Sequence, residues 1–155
     1  MDKRVSESRT EQVHIITQSD LNGYKRLFGG KLMKWVDIVA AVTARRHCEM
    51  NVTTVMIDAL EFREPAYAND LVVLVGQVTY TGKSSMEVCV RSYVEGLDGK
   101  RRNINKAYVV MVALDENERP AEVPQLIPET DYEKEEWELG KQRYEMRKNR
   151  RGGII

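Results

Sequence analysis

The residue with the clearest chemical potential in this chain is an aspartate in the middle of a helical stretch. Asp37 lies in Lys31–Cys48, a run without Gly or Pro in which Leu32, Val36, Val39, Ala40 and Thr43 recur at helical spacing. Those residues predict a helix spanning about 27 Å. On its surface Asp37 has Met33, Ala40 and Ala41 as neighbours, and Lys34 is the only nearby cation within the helix. Aspartate is a mediocre helix former in an interior turn, and burying it unpaired costs several kcal/mol. Two explanations stay open on pattern alone. One is an exposed carboxylate paired with Lys34. The other is a general base or nucleophile facing a cleft, with small alanines leaving room for substrate.

Gly29-Gly30 opens this helix. Paired glycines let a ligand approach the backbone, and the first amides of a helix point outward with partial positive charge. Such amides can hold the oxyanion that forms when a carbonyl is attacked. The plain alternative is that the glycines only turn the chain into the helix. Asp37 follows Gly30 by two helical turns, about 10 Å.

The elements around this helix define its setting. Residues 1–11 are charged and unpatterned and are expected to form a loose arm. Val13 to Thr17 is a short first strand, and Ser19-Asp20-Leu21-Asn22-Gly23 is turn chemistry. After the helix, strands are expected over Val52–Phe62, Leu71–Tyr80, Ser85–Val94 and Arg101–Leu114, the last long enough to hold a bulge. In the third of these, Met86, Val88, Val90 and Ser92 alternate with Glu87, Cys89, Arg91 and Tyr93, which separates two faces. No helix interrupts these strands, so a parallel sheet is excluded and an antiparallel α+β fold is implied. One long helix wrapped by one curved antiparallel sheet is the hotdog architecture. We divide the chain into a hotdog domain, 1–128, and a charged helical extension, 129–155, with its helix over 129–149. This second helix is expected to be either solvated or laid across a neighbouring subunit. The basic run Arg147-Lys148-Asn149-Arg150-Arg151 reads as a solvated tail or as a phosphate or partner contact.

Composition narrows the function classes. Lys plus Arg and Asp plus Glu both number 24, so no net charge advertises nucleic acid or a membrane as partner. Two cysteines, Cys48 and Cys89, make no disulfide framework and are expected as small buried hydrophobes. Two histidines, His14 and His47, without ligand spacing give no metal site, and His47 is expected to pack or cap the helix end. Trp35, on the far side of the helix from Asp37, is expected in sheet or interface packing. The polar start of the chain does not read as a signal peptide, and no apolar run is long enough to span a bilayer. A cytoplasmic location is the expectation.

The run S-D-L-N-G-Y-K-R-L-F-G-G-K-L-M-K-W-V-D-I-V-A-A-V-T-A-R-R-H-C, from Ser19 to Cys48, resembles the signature of acyl-CoA hydrolases of the hotdog superfamily. Within them it is similar to the broad-specificity bacterial acyl-CoA thioesterases related to the mammalian cytosolic and brain acyl-CoA hydrolase. Phe62-Arg63-Glu64-Pro65 with Asn69-Asp70, and the hairpin Thr81-Gly82-Lys83-Ser84-Ser85, extend the likeness over roughly residues 10 to 150.

The resemblance implies hydrolysis of acyl-CoA thioesters to fatty acid and CoA. It implies Asp37 and Asn22 as catalytic residues and the Gly29 and Gly30 backbone at the thioester carbonyl. Asp37 would activate water or attack the carbonyl directly to give a mixed anhydride. It implies no cofactor, since CoA is part of the substrate, and self-association into dimers and further into trimers of dimers, with the site between subunits. Phe28, Arg63, Lys83, Ser84, Ser85, Arg101 and Arg102 are the candidate CoA contacts, and Arg45 and Arg46 are weaker ones. The chain departs from the family where Lys25 replaces a glycine, Arg26 replaces a polar or acidic residue, and Asn69 replaces the glycine of a Gly-Asp turn. Two other readings remain: a hotdog dehydratase or hydratase, which would use a histidine with a carboxylate, and a non-catalytic acyl-CoA-binding regulator.

Overall fold

The computed structural model describes residues 1–151. A twenty-residue helix, α1 (Gly29–Cys48), is held in the hollow of a five-stranded antiparallel sheet. The sheet order is β2 (Thr10–Ile15), β4 (Leu71–Thr81), β5 (Ser85–Glu95), β6 (Arg101–Leu114), β3 (Asn51–Phe62). The strand after the helix therefore crosses to the far edge, and among the described residues β3 pairs only with β6. Two short strands, β1 (Lys3–Arg4) and β7 (Leu126–Ile127), pair in parallel beside this sheet. The structure bears out the hotdog α+β expectation.

The helix sits where its apolar stripe requires. Leu32, Val36, Val39, Ala40, Thr43 and Ala44 are buried against Val72, Leu74, Met86, Val88, Ala107 and Val109. Gly76 permits the approach: a Cβ there would stand 2.6 Å from Thr43 Oγ1 and 2.8 Å from Val39 Cγ1. The core takes the even face of β5, as the alternation requires, and Glu87, Cys89 and Arg91 lie on the other. Cys48 and Cys89 are free and buried. Trp35 is buried and stacks on His14 at 4.2 Å. His47 packs at the helix end with Nε2 2.7 Å from the Pro124 carbonyl.

Several expectations are corrected. The N-terminal arm is docked, because Val5 is buried and β1 pairs with β7. The first strand of the main sheet runs over Thr10–Ile15, and α1 starts at Gly29, two residues early. The bulge expected in the long β6 is present, opposite Ser92 and Tyr93.

The tail helix, α2 (Asp131–Arg151), is not solvated all round; it covers the outer face of its own sheet. The last four residues of the 129–155 extension lie outside the described residues. Glu87, with no exposed side-chain surface, accepts from Arg143 at 2.8 and 2.9 Å and from Thr79 Oγ1 at 2.6 Å. Arg147, expected as the start of a solvated tail, is buried 3.6 Å from the same carboxylate and 3.8 Å from Asp58. Glu136 binds Arg91 at 3.0 Å and the hydroxyls of Tyr108 and Tyr132. Tyr80 lies between Trp137 and Tyr144, at 5.2 and 5.3 Å. Charges that look solvated along the helix are therefore shared with charges on alternate strand positions, as buried charges must be.

Candidate active site

Asp37 is half-buried on α1, with one carboxylate oxygen fixed. Thr54 Oγ1 on β3 donates to Asp37 Oδ1 at 2.7 Å. The strand register shifts between Thr54 and Met56, and such an extra residue re-aims side chains at a sheet edge. Lys34 forms no ion pair with Asp37 among the described residues, so the exposed-pair explanation does not describe this carboxylate. Oδ2 has no hydrogen-bond partner among them and is available to take a proton from water.

Asn22 sits at the head of a tight loop. Its Oδ1 accepts from the amides of Tyr24 at 2.9 Å and Arg26 at 3.2 Å. With the oxygen engaged in closing the loop, the Nδ2 group is left as a donor. Asp20 anchors this loop by accepting from the Thr17 amide at 2.8 Å, and the Phe28 amide donates to the Asp20 carbonyl. The Thr17 amide bond holds the Asp20 carboxyl below its ordinary range. Lys25 has φ +60° and Asn69 φ +72°. Both sites where this chain lacks the family glycine thus lie in the left-handed region that favours glycine.

The first turn of α1 presents its amides as expected. Lys31 and Leu32 amides bond to the Phe28 carbonyl, whereas those of Gly29 and Gly30 precede any intrahelical acceptor. The Phe28 ring folds over Gly30, where a Cβ would lie 2.6 Å from Phe28 Cε2. Gly29 faces the Phe62 ring at ordinary contact distance. Asn22, Gly29, Phe62 and Arg63 line one recess of about 310 Å³.

The candidate catalytic residues fall into two groups. Asn22 and Gly29 line the recess at the helix start, with Gly30 next in the chain, while Asp37 and Thr54 lie about 12 Å further along the helix axis. The candidate CoA contacts divide similarly. Phe28 is exposed over Gly30, and Arg63 borders the recess with its guanidinium bonded to Glu61 and Asn103. Arg102 is paired with Glu64 at 2.7 Å, and Arg101 with Glu11 at 2.8 Å and Glu95 at 3.0 Å. Lys83, Ser84 and Ser85 lie at the opposite end of the sheet, since Ser85 and Glu95 close the two ends of β5. That is about 33 Å of strand, so one chain cannot bring the Lys83 hairpin and Arg101 to one ligand. Ser85 is buried, and the Ser84 and Lys83 carbonyls accept from Ala113 and Val123. Arg45 is exposed at the helix end, and Arg46 donates to Thr10 Oγ1 at 3.1 Å.

Sequence reasoning missed Thr54. A threonine in a β-branched strand carries no mark of function, and only the crossing of β3 to the edge beside α1 sets it against Asp37.

The model of the thioesterase superfamily matches residues 24–98. The uncharacterized acyl-CoA thioester hydrolase YkhA of Bacillus subtilis (strain 168) is 38% identical over 146 residues, 94% of this chain and 85% of that protein. The human cytosolic acyl coenzyme A thioester hydrolase is 35% identical over 96% of this chain, which spans 40% of that protein's length. An acyl-CoA hydrolase from Staphylococcus aureus, solved with butyryl coenzyme A, coenzyme A and coenzyme A disulfide, superposes with a TM-score of 0.92. It is 36% identical, with 97% of this chain and 93% of that chain covered. Further structures of it carry alanine in place of an aspartate, an asparagine or a threonine. An apo-hexameric acyl-CoA thioesterase superposes with a TM-score of 0.91 at 39% identity, over 96% of each chain. The aspartate on a sheet-wrapped helix, and likeness that runs through nearly the whole chain in sequence and in backbone, place the protein in the acyl-CoA thioester hydrolases of the thioesterase superfamily.

Proposed function

We propose that this chain hydrolyses acyl-CoA thioesters with Asp37 as the general base. The observation that carries the reading is the asymmetric Asp37 carboxylate, with Oδ1 fixed by Thr54 and Oδ2 open. Water attacks the thioester carbonyl carbon and passes a proton to Oδ2. Negative charge collects on the carbonyl oxygen, where the Gly29 or Gly30 amide and the Asn22 Nδ2 group are suitable donors. The carbon–sulfur bond then breaks, Asp37 returns its proton to the departing thiolate, and a carboxylic acid and CoA leave. The S. aureus variants support the assignment. Their asparagine, aspartate and threonine are 15 and 17 residues apart, the spacing of Asn22, Asp37 and Thr54.

The distance between the two groups of residues favours a site completed by a second copy. β3 is a twelve-residue edge with one partner, and Ile38, Phe28 and Phe62 are exposed hydrophobics at this side of the fold. Pairing of two copies along this edge would cover it and bring the donors of one chain to Asp37 of the other. The hexameric relative fits assembly of such dimers in threes. Arg63, beside Asn22 in the recess, is the CoA contact best supported by position. The extension braces the sheet in this reading through α2. The two free cysteines suit a reducing, cytoplasmic setting, and among the described residues no helix is long and apolar enough to cross a membrane.

The test is Asp37→Asn, assayed by release of free CoA thiol. Loss of a positioned base lowers kcat by about 10²–10⁴-fold. Wild-type turnover by a variant with an unchanged melting temperature would refute the assignment.

A further inference from the structure

The first turn of α1 lacks the usual anchors of a helix start. Phe28 stands at the cap position without a side-chain cap, and no acidic residue lies in the turn. A capping oxygen at that position would accept from the amide of Gly30 or Lys31, and so compete with a substrate carbonyl for the same donors. We propose that Asp20 holds the turn from outside the helix, as the positioning residue for the Gly29 and Gly30 amides and for the Asn22 Nδ2 group. This rests on Asp37 acting at a thioester whose carbonyl oxygen meets those donors.

The geometry is a bracket around the two glycines. The Asp20 carbonyl accepts from the Phe28 amide at 2.8 Å, and its Oδ1 lies 3.4 Å from Lys31 Nζ. Gly29 and Gly30 are the residues between those two contacts, and neither contact uses their N–H groups. Asp20 and Phe28 also face each other at the foot of a narrow loop. Above them Leu21 bridges Leu27, and the Asn22 amide donates to the Arg26 carbonyl at 2.8 Å. Asn22 thus stands two residues up one leg of the loop, and Gly29 follows directly from the other. Both donor groups hang from one residue.

That residue is itself fixed. Asp20 Oδ2 accepts from the Thr17 amide at 2.8 Å and from the Thr17 hydroxyl at 3.0 Å. The Asp20 side chain is 9% exposed and that of Lys31 30%, so salt screens this pair less than an open surface pair. One turn further along α1, Trp35 stacks on His14 of β2. Lys31 and Trp35 therefore tie one stripe of the helix to the chain that precedes it. The Lys31 contact is the one that reaches the turn carrying the free amides.

The test is steady-state release of CoA thiol by Asp20→Ala, Asp20→Asn, Lys31→Met and the double variant Asp20→Ala/Lys31→Met, each assayed well below its melting temperature. Misplacing a catalytic group by about 1 Å costs on the order of 10²-fold, so Asp20→Ala lowers kcat by roughly 10- to 100-fold with KM little changed. Asp20→Asn keeps an acceptor for the Thr17 amide and loses only the ion pair; its loss is smaller and matches that of Lys31→Met. The double variant loses no more than Asp20→Ala alone, because the two side chains act as one unit. The acid limb of the pH profile of kcat, which belongs to Asp37, stays at its wild-type position. If Asp20→Ala does not fold, Asp20→Asn and Lys31→Met carry the test, since both leave the Thr17 amide its acceptor. Wild-type kcat in those two variants overturns the proposal. So does a raised KM at unchanged kcat, which would make the pair a binding contact, or a displaced acid limb, which would assign the loss to Asp37. A wild-type chain that releases no CoA thiol fails the thioesterase reading itself, a result distinct from undiminished turnover in the variants.

Discussion

The hydrogen bond from Thr54 to Asp37 makes a quantitative demand on turnover. Thr54→Val keeps a β-branched side chain in a strand and removes only the donor. A hydrogen bond to a charged group contributes about 1.5–3 kcal/mol. Thr54 is exposed in the single chain, which favours the lower end of that range. Since 1.4 kcal/mol is a factor of ten, a cost of about 1.5 kcal/mol lowers kcat by roughly tenfold. The hydroxyl is directed at the base and not at the body of the substrate, so KM changes little. Thr54→Ser retains the donor and recovers most of the loss. Steady-state release of CoA thiol measures both constants, with thermal unfolding as the check on folding. Wild-type kcat in a normally folded Thr54→Val chain would show that Asp37 is held in place without this bond. Equal losses in the serine and valine variants would assign the effect to strand packing instead.

Three further outcomes are expected. Lys25→Gly relieves a left-handed backbone worth roughly 1 kcal/mol but loosens the unfolded chain by about 0.4–1 kcal/mol; the melting temperature rises by at most ~2 °C, and a fall would reveal a stabilising contact of the lysine. Glu87→Ala leaves Arg143 and Arg147 without their buried carboxylate; at about 3–5 kcal/mol for a broken buried pair, melting drops by roughly 6–20 °C, whereas an unchanged melt would mean that α2 does not depend on this anchor. Burial holds the His47 imidazole below its ordinary value of 6.5, with Lys3 adding to the shift while Pro124 and Glu7 oppose it. The unfolded chain therefore binds the proton first, and stability falls as pH drops below 6.5. His47→Gln flattens the slope of stability against pH there, and an undiminished slope would place the proton uptake elsewhere, the half-buried His14 imidazole being shifted the same way.

Much of the fold was legible because its signals are local. The helical period of Leu32, Val36, Val39 and Thr43 named the face that is buried, and the alternation through Met86–Tyr93 separated core from outer face correctly. The glycine departures at Lys25 and Asn69 were visible as residue types, but only the backbone showed that both fall at positive φ. The docked N-terminal arm was not legible, since its anchors are a single Val5 and two residues paired with a strand far along the chain. The tail helix was misread for a related reason. Its charges look solvated in one dimension, and only alignment over Glu87, Arg91 and Tyr108 supplies their partners.

By itself the sequence determined the helix, its carboxylate, the glycine pair at its start and the strand faces, because each depends on residues within a few turns or steps of one another. Tertiary structure decided what surrounds them. It carried β3 to the sheet edge so that Thr54 meets Asp37, and it gathered Asn22, Gly29 and Arg63 into one recess about two helical turns from the acid. These relations join residues distant in the chain, and no local preference of either partner encodes them; they arise only when the sheet closes around the helix.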